Sequence, residues 1–161
     1  FRAYLLNHFL DQVKGTVIRQ TQFAEFERRA HELEAGGEPL TAQTLSALYG
    51  EINSAYYSAA TRPDARISRE WSRIPHFYYN FYVYKYATGF SAAQVFARRI
   101  LEGGETRDRY LDLLRAGGSA DPLELIGRAG VDLTDPRAFT DVFALFRERL
   151  AEFRGLLAPA S

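Results

Sequence analysis

The sequence has neither cysteine nor methionine among its 161 residues. Without cysteine there can be no disulfide framework and no thiolate metal site, and the composition fits a reducing cytosol. Methionine is missing even from position 1, and the opening run Phe1-Arg2-Ala3-Tyr4-Leu5-Leu6 already reads as the middle of a helix. The expectation is a segment of a longer polypeptide. An excess of charge of either sign is also lacking. Twenty Lys plus Arg balance twenty Asp plus Glu, which removes the electrostatic case for nucleic acid or an anionic membrane as partner. No apolar run approaches the roughly 20 residues of a membrane span. No signal-peptide pattern is present, and no period-2 alternation marks a strand.

What remains is helical. Hydrophobic residues make up 47% of the chain, enough to bury a real core. Tyr4, Leu5, Phe9 and Val13 form a helical stripe over 1–13, and Gly15 loosens or bends the junction that follows. A helix over 16–35 carries Phe23, Phe26, Ala30 and Leu33 along one side, and Gly36-Gly37-Glu38-Pro39 ends it. Thr41 is suited to cap the next helix, with Leu45, Leu48, Ile52 and Tyr56 on one face. A loop follows around 61–68, including Arg62-Pro63-Asp64, and Ser68 is placed to cap a short turn through Trp71. Pro75 interrupts the chain or begins the next helix. The longest predicted helix runs over 77–101, stopped by Gly103-Gly104. Shorter helices follow over 106–116 and from Asp121-Pro122 to about 128. Asp135-Pro136 opens the last one, whose Phe139, Val142, Phe143, Phe146, Leu150 and Phe153 are the clearest apolar stripe. Loops are short and no repeat is visible. The fold class is therefore all-α, an antiparallel multi-helix arrangement in which 1–161 form one helical segment.

Three histidines offer chemistry. His31-Glu32 invites comparison with the zinc motif H-E-x-x-H, but the second ligand position is Ala35, so the pair reads as the solvated face of a helix end. His8 reads as an ordinary helix residue. His76 stands in a different setting: Trp71-Ser72-Arg73-Ile74-Pro75-His76-Phe77-Tyr78-Tyr79-Asn80-Phe81-Tyr82-Val83-Tyr84-Lys85-Tyr86, with five tyrosines inside nine residues. Phe would fill a core without a hydroxyl to satisfy, and each buried tyrosine hydroxyl needs a partner. One reading is a set of donors aimed into a polar cleft, able to bind a peptide carbonyl and stabilise an oxyanion. The other is a large aromatic helix packed between neighbours.

Pro75-His76-Phe77-Tyr78-x-x-Phe81-Tyr82-x-Tyr84-x-Tyr86-Ala87-x-Gly89 resembles the signature near the C-terminus of the oligoendopeptidase F family. The stretch Gly15-Thr16-Val17-x-Arg19-Gln20-Thr21-x-Phe23-Ala24-Glu25-Phe26-Glu27 is similar to the block that follows that family's zinc site. Leu40-Thr41, Tyr49 and Tyr56-Tyr57 fit as well, and the order of blocks agrees over 1–157.

The resemblance implies the C-terminal segment of a mostly helical, cytoplasmic zinc metalloendopeptidase of the thimet-oligopeptidase-like group, acting on short peptides. In that group zinc is held by H-E-x-x-H and a later Glu. Those ligands would precede Phe1, so none of this chain's residues is expected to bind the metal and the chain alone is expected to be inactive. Its implied contribution is the facing wall of the cleft, with His76 matching the family's substrate-contacting His. Tyr84 matches the principal oxyanion-stabilising Tyr, and Tyr79 and Tyr82 are further substrate contacts. Two departures from the more distant thimet-type pattern, a shorter His-to-Tyr gap and Phe81 in place of Tyr, leave the assignment among Tyr78, Tyr79, Tyr82 and Tyr84 open. Truncation also implies an apolar face through which the chain can self-associate. A non-enzymatic helical peptide-binding or interaction module is the alternative function, and a plain scaffold with an aromatic core is the third.

Overall fold

The computed structural model describes residues 1–58, 61 and 64–158. Among these, seven α-helices form and no strand: α1 Arg2–Val13, α2 Arg19–Ala35, α3 Ala42–Tyr56, α4 Tyr84–Glu102, α5 Thr106–Ala116, α6 Pro122–Arg128 and α7 Arg137–Leu157. The all-α expectation holds. The Arg62-Pro63 pair of the predicted loop lies outside the described residues. The chain divides into two compact units, one of residues 15–87 and one of 1–14 with 88–161.

In the 15–87 unit, the looseness expected at Gly15 takes the form of a π-helical turn, Lys14–Ile18, a local widening of the helix. α2 then buries Phe23 and Phe26. It ends as its glycines dictate: Gly37 adopts a φ of 83°, Gly37 N–H donates to Glu34 O and Glu38 N–H to Leu33 O, both at 2.9 Å. That pairing satisfies the last carbonyls of the helix. Thr41 caps α3, its hydroxyl accepting from Thr44 N–H at 3.1 Å. Leu48 and Ile52 of α3 are buried against Phe23, Phe26, Tyr49, Ile74 and Val83, with Leu45 and Tyr56 packed around them.

Two local expectations need correction here. Ser68 caps nothing; its hydroxyl donates to Ala65 O at 2.8 Å. The 3-10 helix Ala65–Arg73 is capped by Asp64, which accepts from Arg66 N–H at 2.9 Å and also pairs with the Arg66 guanidinium. A carboxylate two residues upstream outcompetes a hydroxyl within the turn. The second correction concerns the predicted helix over 77–101. The chain forms a short 3-10 turn, Pro75–Tyr78, then reverses, and α4 starts only at Tyr84. Pro75 at the first position of its turn behaves as expected. The reversal lies at Asn80 and Phe81, which have φ of 48° and 55°, conformations no α-helix contains.

In the other unit, α4 contributes Ala92, Val95 and Phe96 to a core shared with Ala129, Val131 and Ala138. Gly103 and Gly104, with φ of 91° and 81°, stop α4. Asp121 caps α6 through Leu123 N–H at 2.9 Å, and Asp135 accepts from Arg137 N–H at 2.8 Å at the start of α7. α1 packs on α7 and buries Leu6, Leu10 and Val13. Of the expected stripe, Val13 is buried and Phe9 half-buried, but Leu6 and Leu10 take the place of Tyr4 and Leu5. Tyr4 and Leu5 are 70% and 49% exposed. α1 carries apolar residues on two faces, and contact with α7 selects between them. Arg2 and Arg149 both pair with Glu152 of α7, holding its carboxyl below the usual range, through Arg2 first and Arg149 second. Among the described residues no helix is long and apolar enough to cross a membrane.

Candidate functional site

A buried polar knot lies just ahead of the tyrosine-rich segment in the chain, within the 15–87 unit. Glu70, only 5% exposed, lies between α2, α3 and its own 3-10 helix. Tyr49 O–H donates to Glu70 Oε2 at 2.7 Å. Arg19 donates to Oε1 at 2.5 Å, and Arg73 pairs with the same oxygen. Burial alone would raise the Glu70 carboxyl. The hydrogen bonds from Tyr49 and Arg19 and the charges of Arg19 and Arg73 outweigh it, leaving the group below its ordinary value. The Tyr49 hydroxyl moves upward, first through burial and then through its bond to Glu70. Next to this knot, Tyr56 O–H donates to Glu25 at 2.9 Å; burial and that bond push it up to about 12.

Arg73, Ile74 and Pro75 lead from the knot directly to His76. Ile74 is buried in the core, so the backbone is anchored immediately before the histidine. Three tyrosine rings then surround the His76 imidazole. Tyr82 stacks on it at 5.6 Å between centroids and 14° between planes. Tyr79 and Tyr86 meet it edge-on at 5.9 and 6.0 Å. Tyr82 also contacts Tyr79 at 5.9 Å and Tyr86 at 5.4 Å. These are favourable aromatic geometries, each worth about 0.5–1.5 kcal/mol beyond burial. Lys85 Nζ lies 5.1 Å from the Tyr82 centroid, a cation over a ring face. The Tyr86 hydroxyl is held above its usual value, chiefly by its hydrogen bond with Tyr82. Tyr79, Tyr84 and Tyr86 are exposed, and His76 and Tyr82 are half-buried.

The structure therefore brings together three of the sequence-predicted residues, His76, Tyr79 and Tyr82, and adds Tyr86. Tyr84 begins α4, two positions and about 200° of helix rotation from Tyr86. The tyrosines are not spread around a helix. The reversal at Asn80 and Phe81 folds them back around the histidine.

That reversal is held from α2. Phe81 N–H donates to Glu27 Oε1 at 2.6 Å, and the Phe81 ring packs on His31 at 4.5 Å. A left-handed conformation costs a non-glycine residue roughly 1–2 kcal/mol, so the turn needs such support. Glu27 is 3% exposed, and its other oxygen, Oε2, has no hydrogen-bond partner. Sequence reasoning passed over it, although a signal was there. Phe23, Phe26, Glu27 and Ala30 follow the i, i+3, i+4, i+7 spacing of one helix face, so a carboxylate stands on the apolar stripe. Of the His31-Glu32 pair expected on a solvated helix end, Glu32 is exposed and pairs with Arg28 whereas His31 packs on Phe81; His8 is exposed.

Beside the cluster, an apolar recess of about 340 Å³ is lined by Phe26, Trp71, Phe77 and Tyr78, with Glu27 and His31 at one side. Among the described residues no three His, Asp or Glu side chains converge in a way that could hold a metal ion. The site offers aromatic faces and O–H and N–H donors.

The model of peptidase family M3 matches residues 2–145, and the chain belongs to that family. Its relatives are more particular. It is 52% identical over 157 residues to the oligoendopeptidase F homolog of Lactococcus lactis subsp. lactis, covering 97% of this chain and 26% of that protein. It is 48% identical to oligopeptidase PepF of Bacillus subtilis, over 97% of this chain and 23% of that protein. The crystal structure of oligoendopeptidase-F from Enterococcus faecium superposes with a TM-score of 0.94 at 50% identity, covering 97% of this chain and 30% of that one. The chain thus spans about a quarter of the length of the curated relatives it matches.

Proposed function

We infer that this chain forms one wall of the cleft of a metal-dependent oligopeptidase and acts on the substrate rather than on the metal. The observation that carries this is the ring cluster of His76, Tyr79, Tyr82 and Tyr86. It gathers one imidazole and three tyrosine rings, two of them on exposed residues. Such donors bind a peptide carbonyl and become stronger partners as its oxygen gains charge. A tyrosine hydroxyl shifted upward, as in Tyr86, keeps its proton at neutral pH and remains a donor.

His76 is assigned to the substrate carbonyl, with Tyr79 and Tyr82 as additional contacts. Tyr84 is assigned as the principal donor to the oxyanion. The resemblance to the family assigns the zinc ligands to a part of the polypeptide other than this chain, and among the described residues no cluster of His, Asp and Glu fits the ion. When bound there, zinc would supply Lewis acidity and an activated water. Short peptides are the proposed substrates and the cytoplasm the proposed location.

The reading is tested on the source gene. The in-frame sequence before Phe1 is expected to encode H-E-x-x-H and a later Glu, and its full-length product to cleave short fluorogenic peptides. A reading frame without that motif, or a product inert on short peptides, would contradict it.

A further inference from the structure

We propose that Glu27 is a positioning residue that sets the conformation of the Asn80-Phe81 reversal and thereby assembles the His76 cluster. The assembly of the cluster stands on geometry alone; its effect on catalysis rests on the peptidase reading above. Two consecutive non-glycine residues take left-handed φ, 48° and 55°, and such residues persist only where their surroundings over-determine them. The single backbone donor of Phe81 is captured by a carboxylate oxygen at 2.6 Å, across 54 positions of sequence. A charge-assisted bond of this kind is among the stronger hydrogen bonds.

The residues on either side of this bond belong to the cluster. Tyr79 precedes the reversal and Tyr82 follows it, and both rings touch His76. If residues 80 and 81 relaxed to ordinary negative φ, the chain would leave the turn in another direction and Tyr82 would lose its stacking on the imidazole. The hydrogen bond of Glu27 goes to the Phe81 amide and not to a reacting group. Glu27 acts through the Phe81 amide, and its place on the apolar stripe of α2, between Phe23, Phe26 and Ala30, fixes where that amide must lie.

The experiment uses the 161-residue chain and the full-length enzyme in parallel. In the wild-type chain the Phe81 amide should exchange slowly with solvent, although Phe81 itself is 41% exposed. Exchange as fast as that of an open turn would overturn the proposal without any variant. In Glu27→Leu, amide protection and the ring-to-ring nuclear Overhauser effects between His76 and Tyr82 should vanish, while those between Phe26 and Tyr49 persist. Glu27→Gln keeps an acceptor and should retain both. Adding Asn80→Gly to Glu27→Leu lowers the cost of the left-handed turn and should restore part of the His76–Tyr82 contact, which a general packing role for Glu27 does not predict. Unchanged His76–Tyr82 contacts in Glu27→Leu, or no recovery on adding Asn80→Gly, would overturn it. In the full-length enzyme, Glu27→Leu should lower kcat on the order of 10²-fold, the scale of a misplaced catalytic wall, with KM changed much less. A wild-type enzyme without peptidase activity would defeat the functional reading while leaving the exchange and ring-contact results to decide the role of Glu27.

Discussion

Tyr84→Phe in the full-length enzyme is expected to lower kcat by on the order of 10²-fold while KM changes by no more than a few-fold. The substitution removes one hydroxyl and keeps the ring, so packing at the start of α4 should be preserved. A donor that binds the oxyanion acts mainly in the transition state, and its loss appears in kcat. A donor that binds the ground-state carbonyl equally well would appear in KM instead. Steady-state kinetics on one short peptide separates the two. The same substitution at Tyr79, Tyr82 and Tyr86 calibrates the result. Tyr82 and Tyr86 share a hydrogen bond and are expected to show non-additive losses when combined. A normal kcat in Tyr84→Phe would remove that residue from the mechanism, and the largest loss at another tyrosine would move the principal donor there.

The second large effect is on stability. Glu70→Ala should destabilise the chain by about 3 kcal/mol, the lower end of the range for breaking a buried ion pair, because Arg19 and Arg73 keep part of their solvation. The substitution also leaves the buried Tyr49 hydroxyl without its acceptor, a cost of about 1–3 kcal/mol if water cannot replace it. Denaturant unfolding measures the loss as a lower midpoint. The pH dependence has a definite sign. The Glu70 carboxyl is below its ordinary value of 4.5 in the folded chain, so the unfolded chain holds the proton more tightly. Its stabilisation is therefore full above about pH 4.5 and fades as pH falls through the lowered folded value. Glu70→Gln should flatten that part of the stability profile. An unchanged midpoint in Glu70→Ala would show that the knot contributes nothing net.

These two effects also mark what could and could not be read from the sequence. Helix ends were legible because their causes are local. Gly36-Gly37, Thr41, Gly103-Gly104 and Asp121-Pro122 each supply a backbone conformation or an acceptor within three or four residues of the group they satisfy. The buried face of α1 was not, since Tyr4-Leu5 and Leu6-Leu10 offer competing stripes and α7, more than 120 residues on, decides between them. Asp64 displaced Ser68 as a cap because a nearby carboxylate is the stronger acceptor.

The site shows the same division. The density of hydroxyl-bearing rings marked the segment around His76, the family resemblance picked out Tyr79 and Tyr82 within it, and the structure gathers the three. Their arrangement was misread as a helix. The reversal at Asn80-Phe81 carries neither glycine nor proline, and its cause, Glu27, lies 54 positions away. The knot of Arg19, Tyr49 and Glu70 was equally hidden, because each residue is unremarkable in its own helix and only packing brings them together. A carboxylate on the apolar stripe of α2 was one written clue, and Asn80, a residue type that tolerates left-handed φ, was another.

The most direct test of the central claim is the crystal structure of the full-length protein with a phosphinic peptide, a stable mimic of the tetrahedral intermediate. The account predicts that the phosphinyl oxygens lie within hydrogen-bonding distance of the Tyr84 hydroxyl, with His76 on the peptide backbone beside them and Tyr82 still stacked on the imidazole. A ligand seated in the catalytic cleft with no contact to any residue of 76–86 would contradict it.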